Sequence, residues 1–173
     1  MAKIESGKAE WVESSVDMKE VIADTLAAMG QLFKEKSIEI DAQLPEKVAA
    51  VTADLDRMIQ VLLNLLSNAM KFCDEAHGRI SITLLEADGC VRVDVRDNGR
   101  GIGKEDHATI FNKFRQVGDT LTDKPHGSGL GLYISRQIVE HYGGKMWLES
   151  SLGGGACFSF TMPTVAATGV RAA

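Results

Sequence analysis

The sequence predicts a single α+β domain, and three observations predict it. Cys90-Val91-Arg92-Val93-Asp94-Val95-Arg96 alternates apolar and polar side chains, the period of a strand with one buried face. The stretch from Asp56 to Phe72 instead carries its leucines at helical spacing. At 173 residues and 45% hydrophobic content the chain can bury one good core. Its formal net charge of −5 argues against a nucleic-acid surface. No run approaches a membrane span, and no signal peptide precedes the acidic N-terminus. Cys73, Cys90 and Cys157 are scattered in apolar patterns, as reduced thiols of a cytoplasmic protein are, and metal ligation by them is not expected.

The elements follow in order. Residues 1–9 read as the end of a preceding helix and a linker, with Gly7 as the stop. Trp11-Val12 begins a strand, and Asp17 caps a helix to about Lys36 whose stripe is Val21, Ile22, Leu26, Met29, Leu32 and Phe33. That stripe is packing. Residues 38–42 alternate as a strand, Pro45 breaks it, and 49–53 form a short second one. Asp54 or Asp56 starts the helix ending at Phe72. Strands at 79–86 and 90–97 are joined by an Ala87-Asp88-Gly89 turn, and a short helix spans 104–110. In the interleaved segment 111–117, Phe111 pins a loop to the core, while one of Lys113 and Arg115 offers a phosphate contact from a lid that continues through the polar residues 118–126. A helix follows the glycines near 130 and stops at Gly143-Gly144. Strands at 145–150 and 156–162 flank Gly153-Gly154-Gly155, and 164–173 is tail or linker.

Three constellations carry chemistry. A strand delivers Asp97 to a turn in which Gly99, Gly101 and Gly103 let backbone approach a ligand closely. Two readings fit: a carboxylate that accepts from the exocyclic amine of a planar base, or a plain Asp-Asn-Gly turn. Gly127, Gly129 and Gly131 lead into a helix whose free N–H groups suit phosphate. Alone that is a weak signal, and no strand directly precedes it as a dinucleotide fingerprint requires. The Gly-Lys-Ser/Thr ending of a phosphate loop is absent. Third, Asn64, Asn68 and Lys71 share one helix face beside a buried stripe. Asn64 by itself reads as a core amide bonded to backbone, and Lys71 as a solvated helix-end charge. As a set they read as phosphate-facing: an Asn oxygen suits Mg²⁺, Lys71 neutralises phosphate, and Phe72 lies against base or ribose.

In this order and spacing, these stretches resemble the N, G1, F and G2 boxes of the catalytic ATP-binding domain of bacterial sensor histidine kinases. That domain belongs to an ATPase and kinase group shared with DNA gyrase, the chaperone Hsp90 and the mismatch-repair protein MutL. The N box is Asn64-Leu-Leu-Ser-Asn68-Ala69-Met-Lys71-Phe72 and the G1 box Asp97-Asn-Gly99-Arg-Gly101-Ile102-Gly103. The F box is Phe111-Asn-Lys-Phe114-Arg115 and the G2 box Gly127-Ser128-Gly129-Leu130-Gly131-Leu132. The resemblance covers residues 10–163, and residues 3–8 resemble the close of the dimerisation helix that precedes such domains. It implies a two-layer α/β sandwich, the Bergerat fold, with helices on one face of a mixed, mostly antiparallel sheet of about five strands. It implies ATP and Mg²⁺ as cofactors. Asp97 would accept from the adenine amino group, Asn68 with Asn64 would hold Mg²⁺, and Asn64, Lys71 and Arg115 would act at the phosphates. Phe72, Gly99, Gly101, Ile102, Gly103, Gly127, Ser128, Gly129, Leu130, Gly131 and Leu132 would shape the base pocket and lid. The family often carries its basic lid residue one place later, where this chain has Gln116.

The acceptor histidine expected of a whole kinase is missing. The four histidines, His77, His107, His126 and His141, are followed by Gly, Ala, Gly and Tyr, and none sits in an early helix. The resemblance then implies the catalytic half of a protein-histidine kinase, served by a dimerisation and phosphoacceptor domain and a response regulator receiver domain. It implies a homodimeric, cytoplasmic or membrane-anchored full-length kinase, with no nucleic-acid or membrane contact from this segment. Two other readings compete. A gyrase- or Hsp90-type ATPase places a glutamate where Asn64 stands, and Asn cannot take a proton from water. A catalytically silent ATP-binding module is the third.

Overall fold

The structure, a computed structural model, describes residues 11–114 and 129–168. They form β1 (Glu13–Val16), α1 (Met18–Glu35), β2 (Glu39–Gln43), β3 (Val51–Asp54), α2 (Leu55–Phe72), β4 (Arg79–Ala87), β5 (Cys90–Asp97), α3 (Lys104–His107), α4 (Gly131–His141), β6 (Lys145–Ser150), β7 (Ala156–Pro163) and α5 (Val165–Thr168). Five strands make one sheet in the order β2-β4-β5-β7-β6, while β1 pairs with β3 apart from it. Only β2 and β4 run parallel within that sheet, so it is mixed and mostly antiparallel as predicted.

The core lies between the sheet and the helices. Strand alternation puts Ile80, Ile82 and Leu84 of β4, Val91, Val93 and Val95 of β5, and Phe158, Phe160 and Met162 of β7 in the buried cluster. Met58, Val61, Leu62, Leu65 and Leu66 of α2 join the same cluster. Each such side chain stabilises the fold by roughly 1.5–3 kcal/mol relative to exposure. The opposite sheet face is polar: Arg92 Nε donates to Asp94 at 2.8 Å, and its guanidinium lies 5.0 Å from the Trp147 ring centroid.

Capping fixes the start of both long helices. Asp17 accepts from Lys19 N–H, and Asp54 from Arg57 N–H. Asp54 also accepts from Val12 N–H at 2.9 Å, tying the entering chain to α2; that bond is the main cause holding its carboxyl below the ordinary range. Several expectations shift. Trp11 precedes the first strand and stacks on His141 at 4.1 Å. Leu32 lies at the edge of the α1 stripe and is exposed. The third helix ends at His107, because the chain then turns Ile110 and Phe111 inward. Thr164 is buried, its N–H donating to the Gly89 carbonyl, and Val165 N–H donates to Ala50. The packed domain thus continues past Pro163.

Candidate nucleotide site

Strand periodicity places the central carboxylate. Asp97 follows Val91, Val93 and Val95 on the inward face of β5, so its side chain enters the helix–sheet layer and is 5% exposed. Its Oδ1 accepts from Gly99 N–H at 2.9 Å and from Ala156 N–H at 3.3 Å. Both bonds go to one oxygen, which leaves the other open to accept a further hydrogen bond. Burial pushes the carboxyl above the ordinary aspartate range, against the pull of the Gly99 and Ala156 N–H groups.

Backbone contacts hold the loop that follows. Asn98 Oδ1 accepts from Arg79 N–H at 2.9 Å and Asp74 N–H at 3.4 Å, and its Nδ2 donates to the His77 carbonyl at 2.7 Å. The end of β5 is thereby clipped to the loop after α2. A Cβ on Gly99 would overlap the Phe72 carbonyl, and one on Gly101 (φ +70°) the Ser151 carbonyl. Gly153 N–H donates to the Arg100 carbonyl at 2.7 Å. Ile102 N–H donates to Ser150 Oγ at 2.8 Å, which in turn donates to the Gly155 carbonyl. Gly103 then opens α3.

Helix α2 packs against both β5 and α4. Its half-buried Asn64 donates from Nδ2 to Ser135 Oγ at 2.9 Å, and its Oδ1 lies against Gly131, where a Cβ would overlap it. Asn64 therefore joins two helices, a partner other than the backbone expected of a core amide. Asn68, one turn on, is half-buried, and Lys71 is exposed with Nζ 4.6 Å from the Phe72 ring centroid. Phe72 also carries the Arg100 guanidinium at 5.4 Å and is 37% exposed.

On the far side, Gly129 has φ +64° and its carbonyl accepts from Phe114 N–H at 3.0 Å. Leu130 and Leu132 are half-buried beside Gly131. Phe111 is buried edge-on to Phe158, the anchoring role its sequence suggests, whereas Phe114 is exposed. Lys113 Nζ lies 5.0 Å from the Tyr133 ring. Arg115, Gly127 and Ser128 lie outside the described residues. Among those described, no group of three or more His, Cys, Asp or Glu side chains is placed to hold a metal ion, and no helix is long and apolar enough to cross a membrane.

Sequence reasoning missed Ser135, Ser150 and the clip made by Asn98. Ser135 had a signal: it falls on the buried stripe of α4 with Ile138 and Val139, where a hydroxyl needs a partner. Ser150 had none, since its bond with Ile102, unlike the local one to Gly155, depends on how two distant turns meet.

The burial of Asp97 gives a pH prediction. Because burial raises its folded pKa, this group's contribution to stability improves as pH falls through the raised value. A base amine needs the carboxylate, so nucleotide affinity falls over the same window. The ratio of wild-type to Asp97→Asn affinities, which cancels titration of the nucleotide itself, is expected to shrink on mild acidification. A ratio flat from mildly alkaline to mildly acidic pH contradicts the assignment.

Residues 53–166 match the family described as histidine kinase-, DNA gyrase B-, and HSP90-like ATPase. The chain is 34% identical over 165 residues to the adaptive-response sensory kinase SasA of Prochlorococcus marinus subsp. pastoris, covering 92% of this chain and 44% of that protein. It is 37% identical to the SasA of Parasynechococcus marenigrum, with 92% and 43% covered. The chain thus spans less than half the length of these relatives. The catalytic domain of histidine kinase ThkA superposes with a TM-score of 0.75 at 30% identity, covering 90% of this chain and 99% of that one. Full-length ShkA, solved in complex with AMPPNP, gives 0.81 at 34% identity, with 94% and 33% covered. The chain belongs to the histidine kinase-, DNA gyrase B- and HSP90-like ATPase family, as an ATP-binding domain of the sensor histidine kinase kind.

Proposed function

We propose that this domain transfers the γ-phosphoryl group of ATP to a histidine on a helical dimerisation and phosphoacceptor domain, from which a response regulator receiver domain takes it. The observation that carries the reading is Asp97, a buried carboxylate whose backbone bonds occupy one oxygen, set over glycines with no room for side chains. That is a floor for a planar base with an amine at its edge. The full-length kinase is a homodimer in this reading, as dimerisation helices require.

The residues present fit ATP and Mg²⁺. Asn68 offers one hard oxygen on the face that ends in Lys71, and with no acidic cluster among the described residues a Mg²⁺ ion held there would draw its other ligands from phosphate and water. Bound Mg²⁺ supplies charge neutralisation on the phosphates. The protein's own part is positioning: Asp97 orients the base, Gly99 and Gly101 let it sit against backbone, and Lys71 holds phosphate oxygens. Asn64 has no proton-accepting group for water, which favours transfer to an imidazole over hydrolysis.

Asn68→Ala is expected to weaken Mg²⁺-dependent ATP binding about tenfold or more, while binding measured with a chelator changes little. Equal weakening under both conditions would take Asn68 out of the metal site. The function itself is tested with γ-labelled ATP and Mg²⁺, the chain being incubated alone and then with a separately made phosphoacceptor helical segment from a SasA-type relative. Acid-labile, base-stable label on that segment, only in the mixture, is expected. Steady phosphate release by the chain alone, with no label transferred, would move the assignment to an ATPase.

A further inference from the structure

Helices α2 and α4 share a polar contact, Asn64 with Ser135, beside apolar packing. Ser135 lies in the second turn of α4, is 1% exposed, and shares its buried face with Ile138 and Val139. A hydroxyl in that setting is costly unless it is hydrogen-bonded. Its Oγ accepts from Asn64 Nδ2 at 2.9 Å. With the nitrogen held there, the amide oxygen faces Gly131, the first residue of α4, and fills the space a Cβ would need. Asn68 and Lys71 follow four and seven residues later on the same face of α2. Any slide or rotation of α2 against α4 therefore carries both of them relative to the glycine start of α4.

We propose that Ser135 is a positioning residue for the nucleotide site: it fixes the orientation of the Asn64 amide and so sets the register between the two helices that face the phosphates. This rests on the ATP-binding reading above. Ser135 acts wholly through Asn64 in this account, which separates it from a residue that merely fills space.

The test is a double-mutant cycle on the 173-residue chain with Ser135→Ala, Asn64→Leu and the pair, reading Kd for ATP in the presence of Mg²⁺ together with thermal melts. Ser135→Ala is expected to raise Kd about fivefold, the size of one lost hydrogen bond, and to have no further effect in the Asn64→Leu background. A packing role would lower the melting temperature without moving the Kd of the folded protein. Equal losses in both backgrounds, or no change in either, would overturn the proposal. Asn64→Ala takes the place of Asn64→Leu if the latter does not fold. A wild-type chain that binds no ATP refutes the underlying reading, an outcome distinct from either result of the cycle.

Discussion

The Kd for ATP is expected to rise about a hundredfold, a loss of about 3 kcal/mol, in an Asp97→Asn chain that still folds. The size of the effect follows from the geometry. Oδ1 of Asp97 accepts from two backbone N–H groups, those of Gly99 and Ala156. If the asparagine keeps its oxygen there, its NH₂ faces the adenine amine, donor against donor. If the amide turns over, its NH₂ meets the two backbone donors instead. Either arrangement leaves a buried polar group unsatisfied, the costly side of hydrogen-bond energetics. Stability runs the other way, since burial disfavours the charged form that the substitution removes. Calorimetric titration with ATP and a thermal melt check both halves. A Kd within about threefold of wild type, far below the loss of a charged hydrogen bond, would remove Asp97 from the base site.

How much of this was legible in the sequence divides along physical lines. Local features read correctly: the Asp17 cap, the period of β5, and the turn at Asp88-Gly89, where both residues adopt positive φ; of the two aspartates the sequence offers for the start of α2, Asp54 is the cap. Each is set by a few neighbouring residues. Pairings between distant segments did not read out from pattern alone. The parallel register of Ile40 with Ile80 and the separate pairing of β1 with β3 depend on tertiary packing. The same split runs through the site. Asp97, Asn68 and the glycines are candidates that stand out by their own local spacing. The role of Asn64 does not, because its partner stands 71 residues away on another helix. Composition puts Thr164 in a tail, yet its N–H donates to the Gly89 carbonyl where the ends of β7 and β5 meet. Small residues near a terminus give no signal of such a bond.

Gly101→Ala tests the base pocket through its backbone. Gly101 has φ +70°, a conformation that costs an L-residue about 1–2 kcal/mol, and its new Cβ would overlap the Ser151 carbonyl. That carbonyl cannot yield easily. It belongs to the turn between β6 and β7, which Gly153 N–H ties to Arg100 and which Gly155, at φ +73°, packs against the Asp97 carbonyl. Relief of the clash therefore displaces the loop that carries Ile102 and, through Gly155, the end of β5. A destabilisation of about 3 kcal/mol is expected, lowering the melting temperature by about 8 °C, with ATP binding weakened more than tenfold, about 1.4 kcal/mol. Two other glycines calibrate the result. Gly153 shares the positive φ (+75°) but has open space around it, so Gly153→Ala bears only the conformational cost. Gly30 lies within α1, also in open space, and Gly30→Ala is expected to stabilise by about 0.5–1 kcal/mol. The expected order of melting temperatures is Gly30→Ala above wild type, then Gly153→Ala, then Gly101→Ala. If Gly101→Ala melts with Gly153→Ala and still binds ATP, the close packing of this loop on the β6–β7 turn does not shape the pocket.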